Sequence, residues 1–138
     1  MIKSWSSSQA VIALSSGEAE YYALVKSASV GTGVESMLGD LGMKYEDKIT
    51  LKSDASAAIG IANRVGVGKV RHIEVNQLWL QEKVSNGQIR IEKVKSEENL
   101  ADALTKGVDA QSIEMHLGGV NVRVSNGRHP DAPSIDSK

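Results

Sequence analysis

The sequence contains no cysteine and no phenylalanine, and its 138 residues include only two tryptophans and three tyrosines. The absence of cysteine excludes a disulfide framework and any thiolate metal site. With so few aromatic side chains, we expect the core to consist of Val, Ile, Leu, Ala and Met. The formal net charge is −1, so any contact with nucleic acid requires a local basic patch.

Long apolar runs are also missing. No stretch approaches the roughly 20 apolar residues that a membrane-spanning helix needs, and residues 1–5 lack the apolar segment of a signal peptide. We therefore expect a cytoplasmic or nuclear protein that is not secreted. The length and a hydrophobic content of 41% suit one globular domain.

The order of the local patterns predicts an α/β protein with a mixed sheet. Ser16 is the predicted cap of a helix that runs to about Leu41 and stops at Gly42. Residues 118–138 contain both prolines and few apolar residues, so we expect a domain over 1–117 and a disordered tail. We predict short strands or extended segments over 2–5 and 10–14, and strands over 49–52 and 88–94. The other predicted helices cover 55–63, 73–85, 96–106 and 109–117.

Three acidic residues have the local settings expected of a catalytic metal site. Glu20 lies in the first turns of the long helix, Asp54 follows the strand over 49–52, and Asp102 lies near the start of a later helix. Carboxylates at such positions can converge on a divalent cation when the strands are neighbours. That convergence is typical of a metal-dependent phosphodiester hydrolase.

A purely structural role is the alternative for these carboxylates. An acidic residue in the first turn or at the cap stabilises a helix without any catalytic function. Glu18 lies two residues before Glu20 and therefore points elsewhere on the helix. We interpret Glu18 as a first-turn charge.

The glycine-containing segment 64–72 is rich in basic residues and has no acidic residue. Its glycine amides, together with Lys69 and Arg71, can hold backbone phosphates, which makes Lys69, Arg71 and His72 candidate nucleic-acid-binding residues. An ordinary solvated loop is the alternative. For His72 a structural hydrogen bond fits better than catalysis.

Five motifs in a fixed order resemble the ribonuclease H domain of the Pol polyprotein of copia-type LTR retrotransposons. They occupy residues 2–9, 13–21, 52–54, 70–75 and 97–106, and the resemblance covers roughly residues 2–117. It implies a ribonuclease H-like fold, in which helices flank a mixed central sheet. It also implies hydrolysis of the RNA strand of RNA–DNA hybrids by two metal ions, Mg²⁺ or alternatively Mn²⁺.

The resemblance assigns Glu20, Asp54 and Asp102 as catalytic residues and metal ligands. The family's first catalytic aspartate has no counterpart, because no aspartate precedes Asp40. We therefore expect an N-terminally truncated domain that lacks the first two strands and is inactive by itself. The alternative function is that of a catalytically inactive retrotransposon remnant or a nucleic-acid-binding module.

The resemblance also implies partners. The expected ligand is an RNA–DNA hybrid, and the reverse transcriptase domain of the same polyprotein is an expected neighbour. A second copy of the chain could pair with the open sheet edge expected at residues 2–5.

Overall fold

A computed structural model describes residues 4–43, 48–66, 68, 73, 78–104 and 107–123. The chain divides into two compact units, one of residues 7–99 and one of residues 1–6 with 100–138. None of the described helices has the length and apolar character that a bilayer crossing requires. The elements are α1 (Ser16–Asp40), β1 (Ile49–Ser53), α2 (Ser56–Ala62), α3 (Trp79–Ser85), β2 (Ile89–Lys93) and α4 (Ala110–Gly119), with short 3₁₀ turns at Ser96–Glu98 and Asp102–Leu104.

Helix α1 confirms the long predicted helix and shows how its ends form. The cap is Ser15 rather than Ser16, since the Ser15 hydroxyl accepts the Glu18 N–H at 3.2 Å. At the other end Gly42 adopts a φ of +74°, a left-handed conformation that favours glycine. The N–H of Gly42 donates to Gly39 at 2.9 Å and the N–H of Met43 donates to Leu38 at 3.0 Å. This pair of bonds is a Schellman motif, which ends the helix.

The sheet of the described residues consists of two parallel strands. Strand β1 pairs with β2 so that Ile49 lies beside Ile89 and Leu51 beside Ile91. Parallel strands need a long crossover, which here contains α2 and α3. Glycine at position 31 of α1 allows close packing on the sheet, since an added Cβ would lie 3.3 Å from Ile49 Cγ2. The α/β class is thus confirmed, whereas the predicted mixed sheet is a parallel pair in the described part of the chain.

The core of the 7–99 unit differs from the predicted composition. Two of the three tyrosines, Tyr21 and Tyr22, belong to it, and no methionine does among the described residues. The core is formed by Tyr21, Tyr22, Leu24, Val25, Ala28, Leu51, Ala58, Ile61, Ala62, Ile73, Leu80 and Ile89.

The two stretches near the start of the chain that were predicted as short strands or extended segments form no strand in the described residues. Residues 4–5 and 10–14 belong to no strand, while residues 1–3 lie outside the described part. Instead of pairing with a neighbouring strand, the Leu14 N–H donates to the carboxylate of Glu18 at 2.9 Å. Ile12 and Leu14 are also strongly exposed, at 86% and 71%, so this segment gains little from burial as a strand.

The C-terminal half of the chain follows the predictions only partly. The predicted helix over 96–106 is wrong, because residues 96–98 and 102–104 form separate 3₁₀ turns with an extended Asn99 between them. Helix α3 begins at Trp79 rather than at 73, with residues 74–77 outside the described part. Helix α4 confirms the last predicted helix, and Asp109 caps it by accepting the N–H of Ser112 at 2.8 Å.

Candidate functional site

Asp54 lies at the carboxyl end of β1, immediately after its last residue. Both oxygens of its carboxylate accept hydrogen bonds from the segment that follows β2. The Ser96 hydroxyl donates to Oδ2 at 2.7 Å, and the Asn99 amide donates to Oδ1 at 3.2 Å. Because parallel strands end at the same edge of a sheet, the residues after β2 come next to the residue after β1. This edge is also where open α/β sheets bind their ligands.

The side chains of Ser96 and Asn99 are neutral donors. Hydrogen bonds to an ionised carboxylate are stronger than those between neutral groups, and they fix the orientation of the group. Asp54 is therefore a partly buried carboxyl group, oriented by Ser96 and Asn99, at the carboxyl edge of the sheet. The residues that orient it, Ser96 and Asn99, were expected within a continuous helix, and sequence reasoning gave them no role.

Glu20 and Glu18 occupy different environments at the start of α1. Glu20 is exposed. Glu18 is 1% exposed, and its Oε1 accepts the Tyr22 hydroxyl at 2.8 Å while Oε2 accepts the Leu14 N–H. Glu18 thus lies in the first turn as predicted, and the structure adds that it is buried and hydrogen-bonded. The sequence signal for it was Tyr22, four residues later on the same helix face.

Asp102 opens the second 3₁₀ turn and lies in the unit that contains α4, whereas Glu20 and Asp54 lie in the 7–99 unit. Among the residues that the structure describes, no group of three or more His, Asp and Glu side chains could hold a metal ion. The assignment of Glu20, Asp54 and Asp102 as metal ligands stays a prediction.

The three candidate nucleic-acid-binding residues, Lys69, Arg71 and His72, lie outside the described residues. The beginning of their segment is described, and it contacts Gln81 of α3. The Gln81 side-chain amide donates to Gly66 O at 3.2 Å and accepts the Gly66 N–H at 3.0 Å. Sequence periodicity placed Gln81 on the apolar face of its helix. The structure shows that it is indeed buried, at 6% exposure, but bonded to the backbone.

Comparison with known proteins relates this α/β chain to transposon polyproteins. No family model matches the chain, and no solved structure matches it. It is 31% identical over 114 residues, 81% of the chain, to the retrovirus-related Pol polyprotein from transposon TNT 1-94 of Nicotiana tabacum. It is 28% and 30% identical, over 86% and 90% of the chain, to the retrovirus-related Pol polyproteins from transposons RE1 and RE2 of Arabidopsis thaliana.

The homologues of this chain are therefore retrovirus-related Pol polyproteins, which confirms the retrotransposon part of the resemblance. The chain spans 8% of the length of the first two relatives and 9% of the third.

Proposed function

We propose that this chain is part of the ribonuclease H domain of a copia-type retrotransposon Pol polyprotein, and that it contributes to hydrolysis of the RNA strand of RNA–DNA hybrids. The observation that carries the proposal is the similarity to three transposon Pol polyproteins over 81–90% of the chain. The position of Asp54 supports it, because an oriented carboxylate lies at the carboxyl edge of a parallel strand pair.

The proposed catalytic residues are Glu20, Asp54 and Asp102, and the proposed cofactor is Mg²⁺, with Mn²⁺ as a substitute. No group of three possible ligands occurs among the described residues. For that reason we assign Asp54 only the role that its hydrogen bonds support. It provides a fixed negative charge at the sheet edge, held by Ser96 and Asn99.

Substrate recognition is proposed to rest on the basic segment 64–72 and on the shape of the hybrid. A hybrid presents phosphates along both strands and 2′-hydroxyl groups on one strand only. Lys69 and Arg71 would contact phosphates, and such contacts position a nucleic acid without reading its sequence. We therefore expect binding that depends on salt and on the presence of an RNA strand.

The test is cleavage of an RNA–DNA hybrid with a labelled RNA strand, in the presence of Mg²⁺ and then of Mn²⁺, by this chain and by a version extended with polyprotein strands that carry the missing aspartate. We expect cleavage only by the extended version, and the variants below are compared in it. Asp54→Asn removes the charge at the sheet edge with little change in size, and we expect it to reduce cleavage by at least tenfold. Asp40→Asn is the matched control, because Asp40 is exposed at the end of α1. Equal cleavage by both variants would show that Asp54 is not part of the site.

A non-catalytic nucleic-acid-binding module is the second candidate function. It is favoured by the hydrogen bonds that already occupy both oxygens of Asp54, and by the lack of a three-ligand group among the described residues. Calorimetric titration of Mg²⁺ and a hybrid-binding assay separate the two candidates. The binding module would be selected by two results together: the chain binds the hybrid without cleaving it, and Asp54→Asn does not reduce Mg²⁺ binding.

A further inference from the structure

Lys93, the last residue of β2, lies at the same carboxyl edge of the sheet as Asp54. It is the register partner of Ser53, the last residue of β1, and the Val94 N–H donates to Ser53 O at 3.0 Å. Asp54 follows Ser53 directly. Because parallel strands end at the same edge, a carboxylate and an ammonium group belong to neighbouring strand ends here.

The ammonium group of Lys93 is held by a neutral partner. Its Nζ donates to Ser56 Oγ at 2.6 Å, and Ser56 is the first residue of α2, two positions after Asp54. In the described part of the chain Lys93 has no carboxylate partner, unlike Arg90, which pairs with Glu92 at 3.5 Å. An ammonium group has three N–H donors, so the exposed Lys93 retains both its charge and donors for a ligand.

The start of α1 reaches the same edge. An added Cβ at Gly17 would lie 2.6 Å from Ala57 Cβ, so the first turn of α1 packs closely on the start of α2. Ala57 is the neighbour of Ser56, which binds Lys93, and Glu20 lies about one helical turn after Gly17. The elements that carry two of the proposed catalytic carboxylates and Lys93 therefore meet at one edge.

A cation is needed at this edge if a nucleic acid is to bind there. A backbone phosphate has the same sign of charge as the proposed catalytic carboxylates, so it is repelled unless a positive charge lies nearby. A lysine ammonium binds phosphate as a compact point charge. The hydrogen bond to Ser56 already restricts the Lys93 side chain, which lowers the cost of ordering it on binding.

We propose that Lys93 is a substrate-positioning residue that binds a backbone phosphate of the RNA–DNA hybrid next to the phosphate to be cleaved. Ser56 holds the Lys93 ammonium in place for this contact. The inference rests on the proposed function, and it adds a residue outside the basic segment 64–72 to substrate recognition. Phosphate contacts fix the register and orientation of a nucleic acid without reading its sequence, so Lys93 aligns the scissile bond with the edge that carries Asp54.

The experiment measures hybrid affinity over a series of salt concentrations without divalent ions, so that only the charges of the chain act. Lys93→Gln removes the charge and Lys93→Arg keeps it. Lys48→Gln is the matched control, because Lys48 is exposed and immediately precedes β1, at the opposite end of the strand pair. Urea unfolding verifies that each variant is folded.

We expect Lys93→Gln to make the salt slope shallower by one phosphate contact, roughly 0.7–0.9, and to weaken binding about sixfold at 0.1 M salt. The sixfold change is this slope applied to the tenfold step between 1 M and 0.1 M salt. Lys93→Arg should keep the wild-type slope, and Lys48→Gln should change neither quantity. If Lys93→Gln does not fold, Lys93→Met takes its place, because it removes the charge and retains an apolar stem.

A wild-type slope in the uncharged Lys93 variant would overturn the inference. An equal loss in Lys48→Gln would also overturn it, because the effect would then follow from overall charge and not from position. So would an equal loss in Lys93→Arg, since a phosphate contact depends on the charge that this variant keeps. A wild-type chain that binds no hybrid even at low salt would reject the proposed function and the inference together, whereas hybrid binding that does not depend on Lys93 would reject the inference alone.

Discussion

Replacing Glu18 with alanine is expected to destabilise the protein by about 2–5 kcal/mol, whereas Glu20→Ala should change its stability by less than about 0.5 kcal/mol. The two residues are separated by one position in sequence and have the same charge. They differ in burial, because Glu18 is 1% exposed and Glu20 is exposed. The comparison therefore tests whether the buried carboxylate is structural and the exposed one is available for function.

The magnitude follows from the contacts of Glu18. The bond from the Tyr22 hydroxyl is buried and has a charged acceptor, so its removal costs about 1.5–3 kcal/mol. The bond from the Leu14 N–H is only partly buried, and water can replace the carboxylate there, so its removal costs about 0.5–1.5 kcal/mol. Removal of an acidic side chain from the first turn adds roughly 0.3–1 kcal/mol, which the higher helix propensity of alanine partly offsets.

The assay is urea unfolding of the single variants and of a double-mutant cycle that combines Glu18→Ala with Tyr22→Phe. We expect the two changes to be coupled by at least about 1 kcal/mol, since each removes the same buried hydrogen bond. Additive effects, or a Glu18→Ala protein as stable as wild type, would refute the anchoring role. In the hybrid-cleavage assay of the extended version, Glu20→Ala should lose activity at wild-type stability, and unchanged cleavage would remove Glu20 from the proposed site.

Two further predictions concern the packing of α1. Gly17→Ala should destabilise the protein by about 1–2 kcal/mol, because an added Cβ would lie 2.6 Å from Ala57 Cβ. Gly33→Ala, where an added Cβ meets nothing within 4 Å, should stabilise the protein by up to about 1 kcal/mol in the urea unfolding assay. If both variants changed the free energy of unfolding in the same direction, the close contact between Gly17 and Ala57 would be contradicted. Burial, with a contribution from Tyr22, raises the pKa of Tyr21 to about 12 from 10.0. The contribution of neutral Tyr21 to stability should therefore be fully present below pH 10 and be lost as the pH rises to about 12. Tyr21→Phe should abolish that decline in unfolding curves recorded across this range.

Local sequence was sufficient to predict those helices and strands whose start and stop residues lie within the element or next to it. The capping serine and the acidic first turn predicted the start of α1 to within one residue, and Gly42 predicted its end. The order of short motifs was sufficient to predict a retrotransposon polyprotein, because that relation depends on residue identity and not on geometry. Strands β1 and β2 were also predicted, since a short apolar or alternating run bounded by turn residues is a local pattern.

Only the tertiary structure decided what the polar side chains of the site contact. Asp54 receives its hydrogen bonds from residues 42 and 45 positions later, and Gln81 bonds to Gly66, 15 positions earlier. Periodicity cannot predict such partners, because they depend on which segments the parallel pairing of β1 and β2 brings to the same edge. The same limit applies to Glu18, for which the sequence predicted a first-turn position but not its burial. It is buried because Tyr22 and the Leu14 backbone provide donors that offset its loss of water.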